Sequence, residues 1–456
     1  MSQYMADASA PVLIEKYDQL VELFEQACKP RKDWHIGTEY EKVAVWQANG
    51  RAVPFTGGIE EVLRRLADRH PWKPVEEDGR LIALSGTRAS ITLEPGGQLE
   101  LSGEQCESVH CAQHEFAEHV EQIVGIGDEL GISFLGLGMQ PISRLDEIEW
   151  VPKKRYAIMG PYMLKTGKLG QRMMKQTATV QVNIDYGSER DAMTKMRTSM
   201  GLAPLLTAMF ANSPFCDGDA NGYMSYRAHI WTDTDADRSG LLPFVFSDAP
   251  SFGDYVDYAL DVPMYFIVRD DRWIEMTSYT FRRFLQEGYG GERATMSDWN
   301  IHLTTLFPES RLKGYIELRS IDSQAPDLML AVPALIKGIF YDEDCLLAAW
   351  DLVKGWRLEE RVELADSVHK RALRARIRGN SVHDLAKELV LIAETGLERH
   401  PNLNTYGESE ALYLERLRDN VRKGRCPADL LVDKWNGSWD REVSRMVAAS
   451  SYRVAA

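Results

Sequence analysis

Two glutamates stand two positions apart in the segment GTEYEK, residues 37–42, where a strand is expected. Side chains alternate across a strand, so Glu39 and Glu41 share one face, while Thr38, Tyr40 and Lys42 take the other. Carboxylate oxygens are the ligands that magnesium prefers, and magnesium suggests a nucleotide triphosphate. The pair therefore predicts a phosphoryl-transfer site, provided that other strands contribute to the same face.

Three further strand-like segments carry polar side chains on one face: LEPGGQLELSG at 93–103, TATVQVNIDY at 177–186 and GYIELRS at 314–320. Their polar residues are Glu94, Gln98, Glu100, Thr179, Gln181, Asn183, Asp185, Glu317 and Arg319. An antiparallel sheet can also turn such a face to water, where carboxylates pair weakly with neighbouring Lys or Arg. For a single strand that interpretation is favoured. The functional alternative requires that the faces line one cavity, where five glutamates could not all stay ionised without cations.

The remaining pattern indicates an α+β fold. Strands are predicted at 34–46, 80–84, 90–94, 97–101, 132–138, 177–186, 263–276 (a hairpin) and 313–319. Helices are predicted at 11–29, 57–69, 107–129 and 189–211, and the pattern from 327 onwards is mostly helical. The short spacing between strands favours antiparallel pairing. We therefore expect a catalytic body over 1–326 and a helical region over 327–456 packed on it.

Composition limits the partners of the chain. The 456 residues carry a net charge of −15, which repels a nucleic-acid backbone. No signal peptide and no apolar run long enough for a membrane helix are evident, so we expect no membrane association and a cytoplasmic location. Six cysteines occur without a CxxC pair. They suggest neither a disulfide framework nor a thiolate zinc site, and we expect them to be reduced.

Taken together, the motifs resemble one family, the plant-type glutamate-cysteine ligases, which also occur in proteobacteria. The resemblance is carried by GTEYEK, LEPGGQLELSG, KRYAIM (154–159), TATVQVNIDY, FANSPF (210–215), NGYMSYRAHIWTDTDADRSGLLPFVF (221–246), YVDYALDVPMYF (255–266), HLTTLFPESRLKGYIELRSID (302–322) and WNGSW (435–439). It implies a glutamine-synthetase-like fold, an antiparallel sheet curved into a funnel with helices outside. It also implies an ATP-dependent ligation, through γ-glutamyl phosphate, that gives γ-glutamylcysteine, the first step of glutathione synthesis.

The resemblance also implies roles for particular residues. The magnesium ligands would be Glu39, Glu41, Glu94, Glu100 and Glu317. Arg319 would stabilise the transferred phosphoryl group, with Glu41 also catalytic, and the substrate-binding set would be Arg227, Arg238, Tyr226, Gln181 and Asn183. Each arginine could instead serve in a structural ion pair. The small-molecule partners would be glutamate, cysteine and ATP, with Mg²⁺ as cofactor, and the chain would act as a monomer or homodimer.

Three alternatives remain open at the level of sequence. A ligase of the same architecture could use another amine acceptor, because no residue specifically identifies a thiol substrate. A phosphotransferase of related fold would move phosphate from ATP without forming an amide. A binding protein without catalysis is the third. One departure is evident, since plant members form a regulatory disulfide from cysteines in the stretches equivalent to 287–299 and 320–344. Neither stretch contains cysteine here, so control by that bridge is not expected.

Overall fold

The computed structural model describes residues 12–454, and its central feature is an antiparallel sheet of nine strands. The strands of the chain are β1 Ile36–Trp46, β2 Lys73–Glu77, β3 Arg80–Ser85, β4 Ser90–Leu93, β5 Leu99–Ser102, β6 Ile132–Leu135, β7 Thr179–Ile184, β8 Phe215–Cys216, β9 Asp219–Ala220, β10 Ser239–Gly240, β11 Phe266–Arg269, β12 Arg272–Glu275, β13 Phe307–Pro308, β14 Ser310–Leu312, β15 Ile316–Asp322, β16 Arg376–Ile377 and β17 Asn380–Ser381. The order in the main sheet is β14-β15-β7-β1-β5-β4-β3-β2, and β6 also pairs with β1.

The helices surround this sheet. They are α1 Asp18–Glu25, α2 Glu60–Arg69, α3 Val109–Leu130, α4 Lys154–Thr166, α5 Gly170–Gln176, α6 Glu189–Phe210, α7 Tyr226–Trp231, α8 Phe252–Asp261, α9 Phe281–Glu287, α10 Met296–Thr304, α11 Pro326–Met329, α12 Ala331–Phe340, α13 Glu343–Val353, α14 Leu358–Arg371, α15 Val382–Arg399, α16 Glu415–Arg422, α17 Pro427–Asn436 and α18 Val443–Ser450. The fold class is confirmed as α+β with an antiparallel sheet. Within residues 12–454 no helix has the length and apolar character needed to span a bilayer.

One face of the sheet packs on helices through apolar side chains. Helix α6 lies against β14 and β15, α12 against β7 and β1, α3 against β1 and β6, and α2 against β3. Tyr40 contributes from β1, Val180 and Val182 from β7, and Ile316 and Leu318 from β15. Because side chains alternate, the polar residues of these strands must point to the other face.

The helical region after residue 326 packs on the body in several places. Helices α13, α14 and α15 lie against α6, and α12 lies against the sheet. A smaller core joins the second half of β1 to the end of the chain, with Val43, Val45, Trp435, Trp439 and Met446 among its members. The region also contains the short β16–β17 hairpin, which the helical pattern did not predict.

The expectation that all six cysteines are reduced is wrong for two of them. Cys106 and Cys111 form a disulfide, while Cys28, Cys216, Cys345 and Cys426 are free. Cys106 pairs with Ile36 through two backbone hydrogen bonds next to β1, and Cys111 lies in the first turn of α3. This return of the chain brings together two residues that are not in a CxxC pattern.

Candidate active site

The polar face of the sheet gathers glutamates from three chain segments. Glu41 and Glu100 lie directly opposite each other on β1 and β5, and Glu94 follows β4 at the start of the Pro95-Gly96-Gly97 turn. Each of these three carboxylates offers an oxygen within 4.8 Å of the other two. Glu41 and Glu100 are 7% and 8% exposed, so water screens their repulsion poorly. The arrangement is a candidate metal centre.

The turn that carries Glu94 is fixed by a close backbone approach. Gly96 lies so near α5 that an added Cβ would stand 2.1 Å from the Lys175 carbonyl oxygen. Gln98 closes the turn, since its side-chain oxygen accepts from the Gly96 N–H at 2.9 Å and its amide donates to the Met174 and Thr177 carbonyls. Only glycine leaves room for this approach.

The electrostatics of the cluster follow from burial and like charge. Burial, together with Glu94 and Glu100, raises the pKa of Glu41 well above its usual range, although its Oε2 accepts from the Thr179 N–H at 2.9 Å. Burial and Glu94 likewise raise the pKa of Glu100. These carboxylates would stay ionised at neutral pH only with a cation between them.

Glu39 lies next in this row. Burial and the nearby charges of Glu317 and Glu100 raise its pKa to about 7. Its Oε1 accepts from the Asn183 side-chain amide at 3.1 Å, and its backbone pairs with Gln181 across β1 and β7. Both predicted amides therefore lie on the polar face beside the carboxylates.

Glu317 differs from the other glutamates because cations surround it. It is fully buried and forms ion pairs with Arg311 at 2.6 Å, with Lys313 at 2.8 Å and with Arg319. Although burial opposes ionisation, these three cations hold the pKa of Glu317 well below its usual range. Its oxygens are already engaged, so the structure places it beside the candidate metal centre and bound to basic side chains.

Two arginines face the carboxylates across a cavity of about 70 Å³. Arg319 donates to Glu317 and to the Gln181 side-chain oxygen, which fixes its guanidinium between β15 and β7. Arg227, at the start of α7, donates to the Arg319 carbonyl at 2.9 Å. The cavity is also lined by Glu41, Glu94, Gln98, Arg155, Tyr156, Met173, Met174, Trp231 and Phe307.

Asp322, the last residue of β15, positions Arg227. Its buried carboxylate accepts from the Ser213 and Ser225 hydroxyls at 2.7 and 2.9 Å, and Ser225 caps α7. The Ser213 hydroxyl in turn accepts from the Arg227 backbone N–H at 3.0 Å. These bonds link the segments FANSPF, SYR and RSID to one another. Together the three segments hold the residue that carries the Arg227 guanidinium.

Of the predicted substrate-binding residues only Arg227 lines the cavity, and Gln181 and Asn183 lie on the polar face beside it. The other two lie elsewhere. Arg238 is fully buried elsewhere, paired with Asp235 and donating to the Thr305 and Pro263 carbonyls, which leaves no room for a substrate carboxylate. Arg238 therefore serves in a structural ion pair, which was the alternative to substrate binding. Tyr226 packs with Cys216 and Ile230 and against the His229 ring rather than beside Arg227. Tyr226 and Arg227 are consecutive residues of α7, and consecutive helical side chains point in different directions.

A family model described as "Glutamate-cysteine ligase family 2 (GCS2)" matches residues 35–449. The chain belongs to glutamate-cysteine ligase family 2. The matched range contains every residue of the cavity, and it includes the helical region as well as the sheet. The family resemblance predicted from the motifs is thereby confirmed.

Curated relatives support the same membership in family 2. Glutamate-cysteine ligase B, chloroplastic, from Oryza sativa subsp. japonica is 43% identical over 429 residues, covering 93% of this chain and 85% of the relative. The chloroplastic glutamate-cysteine ligase of Arabidopsis thaliana is 42% identical over 429 residues, covering 93% and 81%. A solved glutamate-cysteine ligase (gshA) from Francisella tularensis, in complex with AMP, superposes with a TM-score of 0.55 at 12% identity, over 93% of this chain and 90% of that one. This last likeness shows a shared fold.

Several residues of this family-2 site were not predicted from sequence. Arg311 lies directly opposite Glu317 on β14, a strand of three residues that is too short to show an alternation in the sequence. Lys313 is four residues before Glu317, where a hairpin turn brings it back to the carboxylate. Trp231 and Phe307 come from segments with no strand-like polar pattern, and no sequence signal places them at the cavity.

Proposed function

We propose that the chain joins the γ-carboxyl group of glutamate to the amine of cysteine at the expense of ATP. The observation that carries this proposal is the cluster formed by Glu41, Glu94 and Glu100, whose oxygens lie within 4.8 Å of one another. Glu41 and Glu94 line the cavity that also presents Arg227 and Arg319. Membership in family 2 supplies the reaction class. The product would be γ-glutamylcysteine, the precursor of glutathione.

The carboxylate cluster suits Mg²⁺. Its donors are hard oxygens, and burial together with neighbouring negative charge raises the pKa of Glu41 and of Glu100, a cost that a divalent ion would remove. Glu41, Glu94 and Glu100 would hold the ion. Glu39 lies close enough for its charge to interact with that of Glu100, and it would help to bind a second magnesium ion. When bound, the metal would supply positive charge that offsets the negative charge of the nucleotide and of the transferred phosphoryl group.

The reaction needs two steps because a carboxylate is a poor acceptor for an amine. In the first, an oxygen of the glutamate γ-carboxylate attacks the γ-phosphorus of ATP, and the bond to the bridging oxygen breaks to release ADP. In the second, the cysteine nitrogen attacks the carbonyl carbon of γ-glutamyl phosphate, phosphate leaves, and the nitrogen loses its proton. Negative charge builds on phosphoryl oxygens in the first step, where a fixed cation is most useful.

Arg319 would provide that cation. Two acceptors on neighbouring strands, Gln181 and Glu317, hold its guanidinium at the cavity, so little reorganisation accompanies charge development. Arg227 would bind the α-carboxylate of glutamate, because a guanidinium offers the forked pair of donors that a carboxylate needs. Asp322 keeps Arg227 in place through Ser213 and Ser225.

Product analysis under three substrate conditions tests the proposal. ADP release is measured with glutamate alone, with cysteine alone and with both, and the products are identified by mass. Release that needs both amino acids, together with γ-glutamylcysteine, is the expected result. Equal turnover with another amine would reassign the acceptor, and a stable phosphorylated product without an amide would indicate a phosphotransferase.

A further inference from the structure

A second pocket lies on the other side of α5 from the active-site cavity. Its volume is about 320 Å³, and its lining consists of Arg144, Leu145, Asp146, Gln171, Arg172 and Lys175. On a helix of 3.6 residues per turn, positions 171, 172 and 175 share one face, whereas 173 and 174 point the opposite way, into the active-site cavity. The helix is therefore a wall between two pockets.

Lys175 is the residue that distinguishes this pocket. It is 6% exposed, and its ammonium group donates one hydrogen bond, to the Leu145 carbonyl at 2.8 Å. Within residues 12–454 no carboxylate lies at ion-pair distance from it, although it stands 5.1 Å from the Trp150 ring centroid. An ammonium group has three N–H donors, so two remain for another acceptor. Burial lowers the pKa of Lys175, as expected for a charge removed from water without a partner.

The other charged residues make the pocket positive. Arg144 is exposed and only 3.9 Å from Asp146, which is itself 83% exposed and therefore offers weak neutralisation. Arg172 is bound to Asp217 at 2.7 Å, so its charge is already balanced outside the pocket. Within the lining, Lys175 and Arg144 thus face the single carboxylate of Asp146, which leaves a net positive charge in a protein whose net charge is −15.

We propose that this pocket binds a small dianion, carrying either a phosphate group or two carboxylates, with Lys175 and Arg144 as its cationic contacts. The volume admits a small molecule of this kind, whose oxygens would accept hydrogen bonds from the two Lys175 N–H groups that the Leu145 carbonyl leaves unused. Neither Lys175 nor Arg144 has a part in the proposed ligation. The proposal concerns binding, so it stands or falls independently of the proposed function.

The same helix offers a route from this pocket to the active site. The Lys175 carbonyl is the backbone atom against which Gly96 packs, and Gly96 belongs to the turn that follows Glu94. A ligand that draws the Lys175 side chain toward Arg144 would act on this contact. We therefore expect the bound dianion to change the KM for Mg²⁺ or for glutamate.

Thermal unfolding of the full-length protein with two probes tests the binding. Sodium phosphate and sodium succinate are titrated separately, each against sodium chloride of the same ionic strength, so that general screening is subtracted. We expect a saturable rise of the unfolding midpoint with at least one probe. The probe that is effective identifies the ligand as a phosphate or a dicarboxylate.

Three variants locate the binding. Lys175→Met keeps the apolar stem and removes the charge, and Arg144→Gln removes the charge of an exposed side chain. Each should weaken the binding of the effective probe about 10- to 100-fold, which corresponds to the loss of one hydrogen bond to a charged group. Lys168→Met removes the same charge from an exposed position just before α5 and should leave the titration unchanged. Lys175→Met should also raise the midpoint in the absence of anions, because it removes a buried unpaired charge.

The outcome that overturns the proposal is equally definite. No saturable rise with either probe, or an equal rise in the wild type, Lys175→Met and Arg144→Gln, would show that the pocket holds no specific anion. The titration is then repeated with saturating ATP and Mg²⁺. Loss of the Arg144-dependent part of the response under those conditions would assign the pocket to the nucleotide and would also refute a separate site.

Discussion

Glu41 and Glu100 are register partners on two antiparallel strands, and both side chains are buried. Like charges directly opposite each other destabilise a sheet. A third carboxylate, that of Glu94, adds to the same repulsion. The sheet therefore accepts a local energetic cost at the place where the proposed reaction needs a divalent ion.

Magnesium should stabilise the protein through this cluster. We expect the unfolding midpoint to rise with Mg²⁺ for the wild type. Glu100→Gln should lower the apparent Mg²⁺ affinity at least about tenfold, because even indirect supporting contacts are worth that much. The same variant should unfold at a higher temperature than the wild type without metal, since one of the repelling charges is gone. Glu121→Gln changes an exposed glutamate of α3 and should have neither effect.

The stability of the metal-free protein should depend on pH through Glu39. Its pKa is about 7 in the folded state and near 4.5 in the unfolded chain, so the folded state binds more protons between these values. The contribution of Glu39 to the free energy of unfolding is then fully present below about pH 4.5. It is lost as the pH rises to 7, and the loss is on the order of 3 kcal/mol for this group. Chemical unfolding at several pH values, with chelator present, should show a smaller fall in Glu39→Gln.

Glu115 provides the matched control for that experiment. Burial raises its pKa to about 7 as well, but it lies away from the cavity and accepts from the Glu104 backbone N–H at 2.8 Å. Glu115→Gln should therefore flatten the pH dependence of stability without changing Mg²⁺ affinity, while Glu39→Gln should change both. Two variants with identical Mg²⁺ affinity would contradict the placement of Glu39 in the metal site.

Arg319→Ala should reduce kcat about 100- to 1,000-fold, which is the usual loss when a fixed group that stabilises developing charge is removed. Glu41→Gln should reduce turnover at least as strongly. The fold should survive Arg319→Ala, because Glu317 keeps its pairs with Arg311 and Lys313. Steady-state release of ADP with both amino acids measures the loss. Arg51→Ala, which removes a half-exposed surface arginine, is the control, and a near-normal kcat in Arg319→Ala would refute the assigned role.

Gly96→Ala tests the close approach between the Pro95-Gly96-Gly97 turn and α5. The added Cβ would meet the Lys175 carbonyl oxygen at 2.1 Å, so the turn or the helix must move. We expect destabilisation of about 1–3 kcal/mol or more, as for other overpacked sites, and weaker Mg²⁺ binding because Glu94 shifts with the turn. Gly125→Ala, in α3, meets nothing within 4 Å and should instead be neutral or stabilising.

The disulfide between Cys106 and Cys111 predicts a thiol count that depends on reductant. Alkylation in denaturant followed by mass analysis should find four reactive thiols without reductant and six after reduction. The bridge closes a short loop of five residues, so chain entropy gives it only about 2 kcal/mol. The Cys106→Ala, Cys111→Ala double variant should lose about that much stability. Six thiols in the oxidised sample would contradict the bridge.

Much of the sheet could be predicted from its apolar alternation. The segment predicted at 34–46 is β1, Ile36–Trp46, and those at 80–84 and 177–186 are β3 and β7. The edge strand β2, with the sequence KPVEE, was not predicted, because a strand with one paired edge and exposed side chains needs no apolar pattern. Likewise β14 has only three residues, too few to show a period.

The candidate site was predictable where chemistry and spacing coincide. Glu39, Glu41 and Glu100 lie on the polar face because strand alternation requires it. Arg238 could not be separated from Arg227 by sequence, because both are arginines in one motif, and only burial beside Asp235 distinguishes them. Lys175 gave no signal at all, since a buried ammonium without a partner is visible only once the chain is folded.

The small core between β1 and the final helices has a consequence for how the chain is made. Val43 and Val45, in the strand that carries Glu39 and Glu41, are covered by Trp435, Trp439 and Met446, nearly four hundred positions later. A ribosome synthesises β1 first and the helices that cover Val43 and Val45 last. One part of the nascent strand therefore stays uncovered until translation is almost finished, and a premature stop near codon 430 would yield a chain that contains Glu39 and Glu41 but lacks the covering for the strand that bears them.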